Sequence, residues 1–286
     1  MNKHLQQYLD SFRLGKEFVR TFLIDLLSIS IIVFVFTWFS SYTQARSLAL
    51  LQGRTTEELQ QMLISLSPQQ LMPFMSALKW FLISSLIGLV VLLIGSVFLF
   101  SYSRARIWNH LQGKRVNSKN YWRWNLLNLS LLVPLLLFLA VILVVKLAML
   151  LLLSLPEKLM PVFYITHTAL MENIRVMLDG ATLFYLVVLF MVIIFLVYDH
   201  FVKSYKIWES IGAGFSSFKK NWKKALLVAF FATVTALLAT VILLPIRKAL
   251  LFYPLSSTLL NVLLAAFFLS WLSLYVSRAL AAHGHQ

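Results

Sequence analysis

The chain has 286 residues, of which 60% are hydrophobic and 12% are charged, and its formal net charge is +15. Soluble domains carry about a quarter of their residues as charged side chains, so this composition excludes an ordinary soluble fold. The sequence contains no cysteine, which excludes disulfides, thiolate catalysis and cysteine-ligated metals.

Six apolar blocks in the chain are long enough to cross a bilayer as α-helices. They lie at residues 21–43, 78–103, 125–150, 181–201, 225–246 and 257–279. The blocks lack the alternating pattern of a membrane β-barrel, and a backbone in lipid must form its own hydrogen bonds. The sequence therefore predicts an all-α integral membrane protein with six transmembrane helices, in one membrane domain over residues 1–286.

The basic residues indicate an orientation for these spans. Most of the 25 lysine and arginine residues lie before the first span, between the second and third, and between the fourth and fifth. Connections rich in bases stay in the cytoplasm, so both termini are predicted to be cytoplasmic and the protein to lie in the cell membrane. Because the bases adjoin the spans, anionic lipid headgroups are favoured as partners over nucleic acid.

Three further segments have the pattern of amphipathic helices. One apolar stripe lies near the N-terminus, one precedes the fifth span and one lies within residues 156–179. The first two stripes consist of Leu5, Tyr8, Leu9 and Phe12, and of Ile207, Ile211, Phe215 and Phe218. Such helices are expected to lie in the plane of the headgroups.

One short pattern occurs three times, at intervals of about 100 residues. It combines a lysine, an aromatic residue and a second base, in Lys16–Arg20, Lys119–Arg123 and Lys219–Lys223. Arg106-Ile107-Trp108 also recurs as Lys206-Ile207-Trp208. This predicts three repeated two-helix hairpins in a pseudo-threefold arrangement, with units 1–111, 112–211 and 212–286. The alternative is that separate helices acquired the same anchoring residues at the membrane interface.

Mitochondrial carriers also consist of three hairpins, but the residues after Pro134, Pro156 and Pro245 do not match the carrier motif. The segment Gly214-Phe215-Ser216-Ser217-Phe218-Lys219-Lys220-Asn221-Trp222 precedes a span. In this the chain resembles prokaryotic six-span families of unassigned function, including the membrane region attached to some glycerophosphodiester phosphodiesterases. The resemblance implies a helical membrane domain, and it implies no phosphodiesterase activity because no catalytic domain accompanies it.

Among the ionisable residues within the spans, Asp25, Lys146 and Asp199 are the candidates for a function inside the membrane. Such residues are candidates for a proton or cation relay. Asp25 and Asp199 lie close to basic connections, so a structural pairing is favoured over a relay. Lys146 is expected either to extend to the interface or to mark the end of the third helix.

The strongest functional feature is a set of bases and tryptophans on one side of the membrane, named here the basic-aromatic collar. Its predicted lipid- or anion-binding bases are Lys16, Arg20, Lys119, Arg123, Lys219, Lys220, Lys223 and Lys224, and its predicted interface anchors are Trp108, Trp122, Trp124, Trp208 and Trp222. Anchoring alone is the simpler interpretation.

The sequence contains no phosphate-binding loop, no nucleophile motif and no spacing of metal ligands, so no cofactor is expected. It thus favours a non-enzymatic accessory, scaffold or lipid-interacting protein, with other membrane subunits as candidate partners. The alternatives are a transporter or channel along the bundle axis and, third, a membrane enzyme that acts on lipid.

Overall fold

The computed structural model describes residues 3–13, 15–51, 58, 61, 64, 68–114, 118–159, 161–250 and 252–280. Within these ranges, the side chains of residues 3–5, 68–70, 118–119 and 149–175 are not described. Besides the helical residues Glu58, Gln61 and Ile64, the described residues form ten helices and no strand. They are α1 (Lys3–Ser11), α2 (Lys16–Leu51), α3 (Pro68–Leu111), α4 (Ser118–Ser130), α5 (Leu132–Leu159), α6 (Pro161–Ser204), α7 (Ile207–Lys220), α8 (Trp222–Ile242), α9 (Leu244–Ala249) and α10 (Pro254–Ala279).

In the part of the chain that the structure describes, six helical stretches are long and apolar enough to cross a membrane, as predicted. They lie in α2, in α3, across α4 and α5, in α6, in α8 and in α10. Several helices extend beyond the predicted spans, since α3 and α6 have 44 residues each. A helix of that length extends about 66 Å, more than twice a hydrocarbon core of roughly 30 Å.

The helix boundaries follow local chemistry. Pro68 is the first residue of α3, where its missing N–H has no intrahelical partner to lose. Pro134 has no N–H to donate to the carbonyl of Ser130, and the third stretch breaks between Ser130 and Leu132. Tyr205 follows the last residue of α6 and adopts the left-handed conformation, with φ of 54°. Its N–H donates to the carbonyl of Phe201 at 2.7 Å.

The predicted interfacial helix within residues 156–179 is not a separate element. Its first residues end α5, and those from Pro161 onward belong to α6, which continues through the fourth span. The apolar positions that suggested an interfacial helix therefore lie on an extension of a membrane helix.

The chain divides into two compact units, residues 1–26 with 101–286, and residues 27–100. In the first unit, α6 contacts α5, α7, α8 and α10. Its core contains large aromatic side chains with almost no exposed surface, namely Trp108, Trp124, Tyr198, Phe201 and Trp271. The second unit contains parts of α2 and α3, and many of its apolar side chains are exposed, as expected of surfaces that face lipid.

The three repeat units stay a prediction. Trp108 and Trp208, which occupy equivalent positions in the repeated pattern, lie in different environments. Trp108 is fully buried within α3, whereas Trp208 is 73% exposed in the first turn of α7.

Candidate functional site

A buried ion pair joins α2 and α3 in the first unit. The guanidinium of Arg104 pairs with the carboxylate of Asp25, and the two side chains are 1% and 0% exposed. Ser270 on α10 donates its hydroxyl to the other carboxylate oxygen of Asp25 at 2.6 Å. Three helices that are distant in sequence therefore meet at one carboxylate.

The partner of Asp25 was missed by the sequence analysis. Arg104 was placed in the connection after the second span, but α3 continues through it to Leu111. The sequence does carry a signal for the buried face of α2, since Thr21, Asp25 and Ser28 are polar residues at helical spacing. All three are buried. In an apolar membrane helix, polar residues on one face indicate the side that packs against protein.

A second polar cluster surrounds Tyr198 on α6. Its hydroxyl donates to Oδ1 of Asn128 at 2.5 Å, and Nδ2 of Asn128 donates to the hydroxyl of Ser101 at 2.9 Å. The rings of Trp124 and Trp108 lie 5.3 and 6.1 Å from the Tyr198 ring, measured between centroids. Hydrogen bonds between side chains thus connect α3, α4 and α6.

The predicted collar tryptophans divide into two groups. Trp108 and Trp124 are 0% exposed, so the prediction that they anchor at the membrane interface is wrong: their rings pack against aromatic residues of α6. Trp122, Trp208 and Trp222 are 63%, 73% and 51% exposed, so their rings are accessible to headgroups.

The four collar lysines near the fifth span flank a helix break at Asn221. Lys219 and Lys220 end α7, and Lys223 and Lys224 lie in the first turn of α8. All are exposed except Lys224, which is half-buried. The side chain of Asn221 does not cap α8 and instead donates to the carbonyl of Ser217. The N–H groups at the start of α8 and the lysine charges therefore both favour an anion.

These lysines form no ion pair in the part of the chain that the structure describes. No salt bridge there, with N and O atoms within 4.0 Å, includes any of the four. The Nζ of Lys223 lies 5.7 Å from the ring centroid of Trp222, close enough for a cation–π interaction.

The other predicted bases lie at the starts of α2 and α4. Lys16, Arg20 and Arg123 are exposed, whereas the side chain of Lys119 lies outside the described residues. Nη1 of Arg20 lies 3.3 Å from Nδ1 of His110. These bases are accessible, as a contact with headgroups requires.

Asp199 and Lys146 both have charged partners. Asp199 on α6 accepts from Nζ of Lys203 at 2.7 Å and from Gln112 beyond the end of α3. Nζ of Lys146 lies 3.3 Å from a carboxylate oxygen of Asp179. The expectation that Lys146 marks a helix end is wrong, because α5 continues to Leu159. Among the described residues, no three histidine, aspartate or glutamate side chains form a metal-binding group.

The N-terminal amphipathic helix α1 packs against protein. Tyr8 stacks on Phe231 at a centroid distance of 4.7 Å, and its hydroxyl lies 2.7 Å from that of Thr235. Trp271 on α10 donates its indole N–H to Ser11 at 3.1 Å. Thr235 lies thirteen residues after Trp222, about 20 Å along α8. Tyr8 and Phe12 of the N-terminal stripe therefore pack against α8 and α10, and the placement of α1 in the plane of the headgroups stays a prediction.

The stripe of α7 also contacts the protein core. Ile207, Ile211 and Phe218 pack against the buried cluster, and Phe215 is 39% exposed. Gly214, on the same helix, lies directly against the backbone of Val197 on α6. The helix that carries Lys219 and Lys220 is therefore held firmly on α6.

Six membrane-length apolar helices define the class, a multi-pass α-helical membrane protein. No family model matches the chain, and neither a curated protein nor a solved structure is similar to it at a significant level. The functional proposal therefore depends on the geometry of this chain alone.

Proposed function

We propose that the protein is a non-enzymatic accessory or scaffold component of the cell membrane that binds anionic lipid headgroups through its collar. The observation that carries this proposal is the group of four lysines around Asn221. They lack acidic partners among the described residues and adjoin the exposed ring of Trp222. An anionic headgroup would supply the negative counter-charge for these lysines.

The proposal includes the orientation of the helices across the membrane. The starts of α2, α4 and α8 carry exposed bases, and those of α4 and α8 also carry the exposed Trp122 and Trp222, which is the pattern of a cytoplasmic interface. We place these helix starts, and both termini, in the cytoplasm. Cysteine residues introduced at Lys219 and at Lys248 would test this, since the chain has no native cysteine. A membrane-impermeant maleimide should label only the Lys248 position from outside the cell.

The lipid proposal is tested by charge reversal of two of these lysines. The double variant Lys219→Glu, Lys220→Glu is purified in mild detergent, and its bound phosphatidylglycerol and phosphatidylcholine are quantified by mass spectrometry. Each base near an anionic surface contributes about 1 kcal/mol, so phosphatidylglycerol enrichment should fall at least tenfold.

Arg247→Glu, Lys248→Glu is the matched control, because it reverses two adjacent bases in α9, which follows the opposite end of α8. It should retain the enrichment. Equal enrichment in the wild type and in both double variants would rule out the collar as a lipid site.

A second candidate function is transport, and the buried ion pair of Asp25 and Arg104 favours it, because charged residues inside a membrane often line ion paths. Large aromatic side chains pack around Tyr198 beside this pair, which supports the scaffold instead. Proteoliposomes with a pH-sensitive dye inside separate the two. Proton flux above that of protein-free vesicles, abolished by Asp25→Asn, would support transport, and flux equal to that of the empty vesicles would exclude a proton path.

A further inference from the structure

The second unit, residues 27–100, contains a cleft that is separate from the collar. It has a volume of about 960 Å³ and is lined by α2 and α3. This is near the upper end of the roughly 300–1,000 Å³ typical of small-molecule sites. Most of its lining is apolar, including the rings of Trp38, Phe39, Trp80 and Phe81.

The polar groups of the cleft are distributed unevenly. Of the described side chains that line it, only Arg46 carries a charge, and its guanidinium carbon lies 5.6 Å from the ring centroid of Tyr42. The hydroxyls of Thr43 and Ser84 donate to carbonyls of their own helices. A ligand for this cleft must therefore be apolar along most of its length and anionic where it meets Arg46.

The length of the cleft is that of a lipid chain. Its lining on α2 extends from Trp38 to Leu50, about 18 Å along the helix axis. One leaflet of a bilayer offers about 15 Å of hydrocarbon, half of a core of roughly 30 Å. From Arg46 the lining continues on α2 to Trp38, about 12 Å along the axis, so most of one acyl chain would lie in the cleft while its headgroup remains at Arg46.

Two glycines on α3 provide a way to alter the cleft. A Cβ at Gly88 would lie 2.6 Å from Cε2 of Phe39, so any side chain there must push this ring, which lines the cleft. Gly95 has no atom within 4 Å of the equivalent position. Alanine at Gly88 should therefore change the wall of the cleft, whereas alanine at Gly95 should leave the wall unchanged.

We propose that this cleft binds one acyl chain of an anionic phospholipid, with the phosphate at Arg46. Charge favours the lipid over a second copy of the chain, because a packed helix would have to present a carboxylate to Arg46. The proposal is independent of the collar, since the two sites lie in different units.

The test uses the full-length protein in nanodiscs with phosphatidylglycerol that carries a diazirine on its acyl chain. After irradiation, labelled peptides are mapped by mass spectrometry, and phosphatidylcholine with the same diazirine is the comparison lipid. Label from phosphatidylglycerol should concentrate on cleft residues such as Trp80 and Phe81, and exceed label on Leu86 and Ile87, which lie outside the cleft.

Arg46→Gln should lower the cleft label from phosphatidylglycerol about tenfold, to the level of phosphatidylcholine. Gly88→Ala should also lower it, and Gly95→Ala should not. The collar variant Lys219→Glu, Lys220→Glu should retain the cleft label, so failure of one site is distinguishable from failure of the other.

Three results would overturn the proposal. These are label spread evenly over the lipid-facing residues of α2 and α3, cleft label that Arg46→Gln and Gly88→Ala both leave unchanged, and chemical cross-links between two copies at the cleft without lipid label. Melting temperatures of all the variants, measured in the same nanodiscs, confirm that each is folded.

Discussion

Asp25 on α2 and Arg104 on α3 form an ion pair that is closed off from the molecular surface, and Ser270 on α10 donates a further hydrogen bond to the same carboxylate. The Coulombic attraction of such a pair is offset by the free energy of removing two charges from water. The pair therefore has a modest net effect on stability while it is complete, and a large effect when one partner is removed.

Removal of either partner should destabilise the protein strongly. Asp25→Leu and Arg104→Met each leave one buried charge without its counterion, which costs about 3–5 kcal/mol. The double variant Asp25→Leu, Arg104→Met removes both charges and should recover most of this loss. Denaturant unfolding in mixed micelles measures the three values. Arg106→Met, at an exposed arginine two residues away, is the control and should change stability little. Additive losses in the double variant would contradict the pairing.

Tyr198→Phe should weaken the connection between α4 and α6. The substitution leaves Oδ1 of Asn128 buried without the hydrogen bond that it accepts at 2.5 Å, at an expected cost of about 1–3 kcal/mol. Tyr102→Phe is a matched control, because the Tyr102 hydroxyl accepts from Nε of Arg106 at the exposed surface. The control should remain within about 0.5 kcal/mol of the wild type in the same unfolding assay. Equal effects of the two substitutions would show that the buried hydrogen bond of Tyr198 contributes no more to stability than the exposed one of Tyr102.

Alanine at the two glycines of α7 should have opposite effects. At Gly214 a Cβ would lie 2.9 Å from both N and Cα of Val197, so Gly214→Ala should push α7 away from α6 and cost about 1–3 kcal/mol. At Gly212 no atom lies within 4 Å, and alanine should stabilise the helix by about 0.5–1 kcal/mol. Thermal unfolding of both variants tests the pair. A stabilising Gly214→Ala would contradict the close approach of α6 and α7.

Tyr205 should contribute stability that is lost in alkali. Burial raises the pKa of its hydroxyl above the usual 10.0, and this hydroxyl donates to Oδ1 of Asn109 at 2.5 Å. The folded protein therefore holds the proton more tightly than the unfolded chain does. This stabilisation is complete below about pH 10 and decreases as the pH rises through the raised pKa.

The comparison for Tyr205 is with Tyr205→Phe. The difference in unfolding free energy between the wild type and this variant should shrink above about pH 10, as linkage requires. Tyr253→Phe, at an exposed tyrosine, controls for general alkaline denaturation. A difference that stays constant up to the alkaline limit of folding would show that Tyr205 does not titrate in this way.

The six spans could be predicted from the sequence because the thickness of a bilayer sets the length of an apolar block. Hydropathy could not predict how far α3 and α6 extend, because it scores only apolar content and a helix can continue through polar residues of good helix propensity. This is why Arg104, which the sequence analysis took for a residue of a connection, lies inside α3.

The candidate site was predictable only in part. Base–aromatic patterns identified the accessible lysines around Asn221. The same patterns predicted that Trp124 and Trp122 both anchor at the interface, but Trp124 is buried and Trp122 is exposed. Adjacent residues on a helix point about 100° apart, so membership of a motif does not decide which of them faces lipid. Contacts such as Ser270 with Asp25 join residues 245 positions apart, and no local spacing indicates them.

The contacts of α1 with α8 and α10 determine when α1 can dock during assembly of the protein. Tyr8 and Thr235 are 227 residues apart, and Ser11 and Trp271 are 260 residues apart. Because synthesis runs from the N-terminus, α1 is made before both of these partners, and its contacts are complete only after α10 has been made. Before α10 is made, Tyr8 can contact only α8, and Ser11 and Phe12 lack their partner Trp271. Complete docking of α1 is thus a late event in biogenesis.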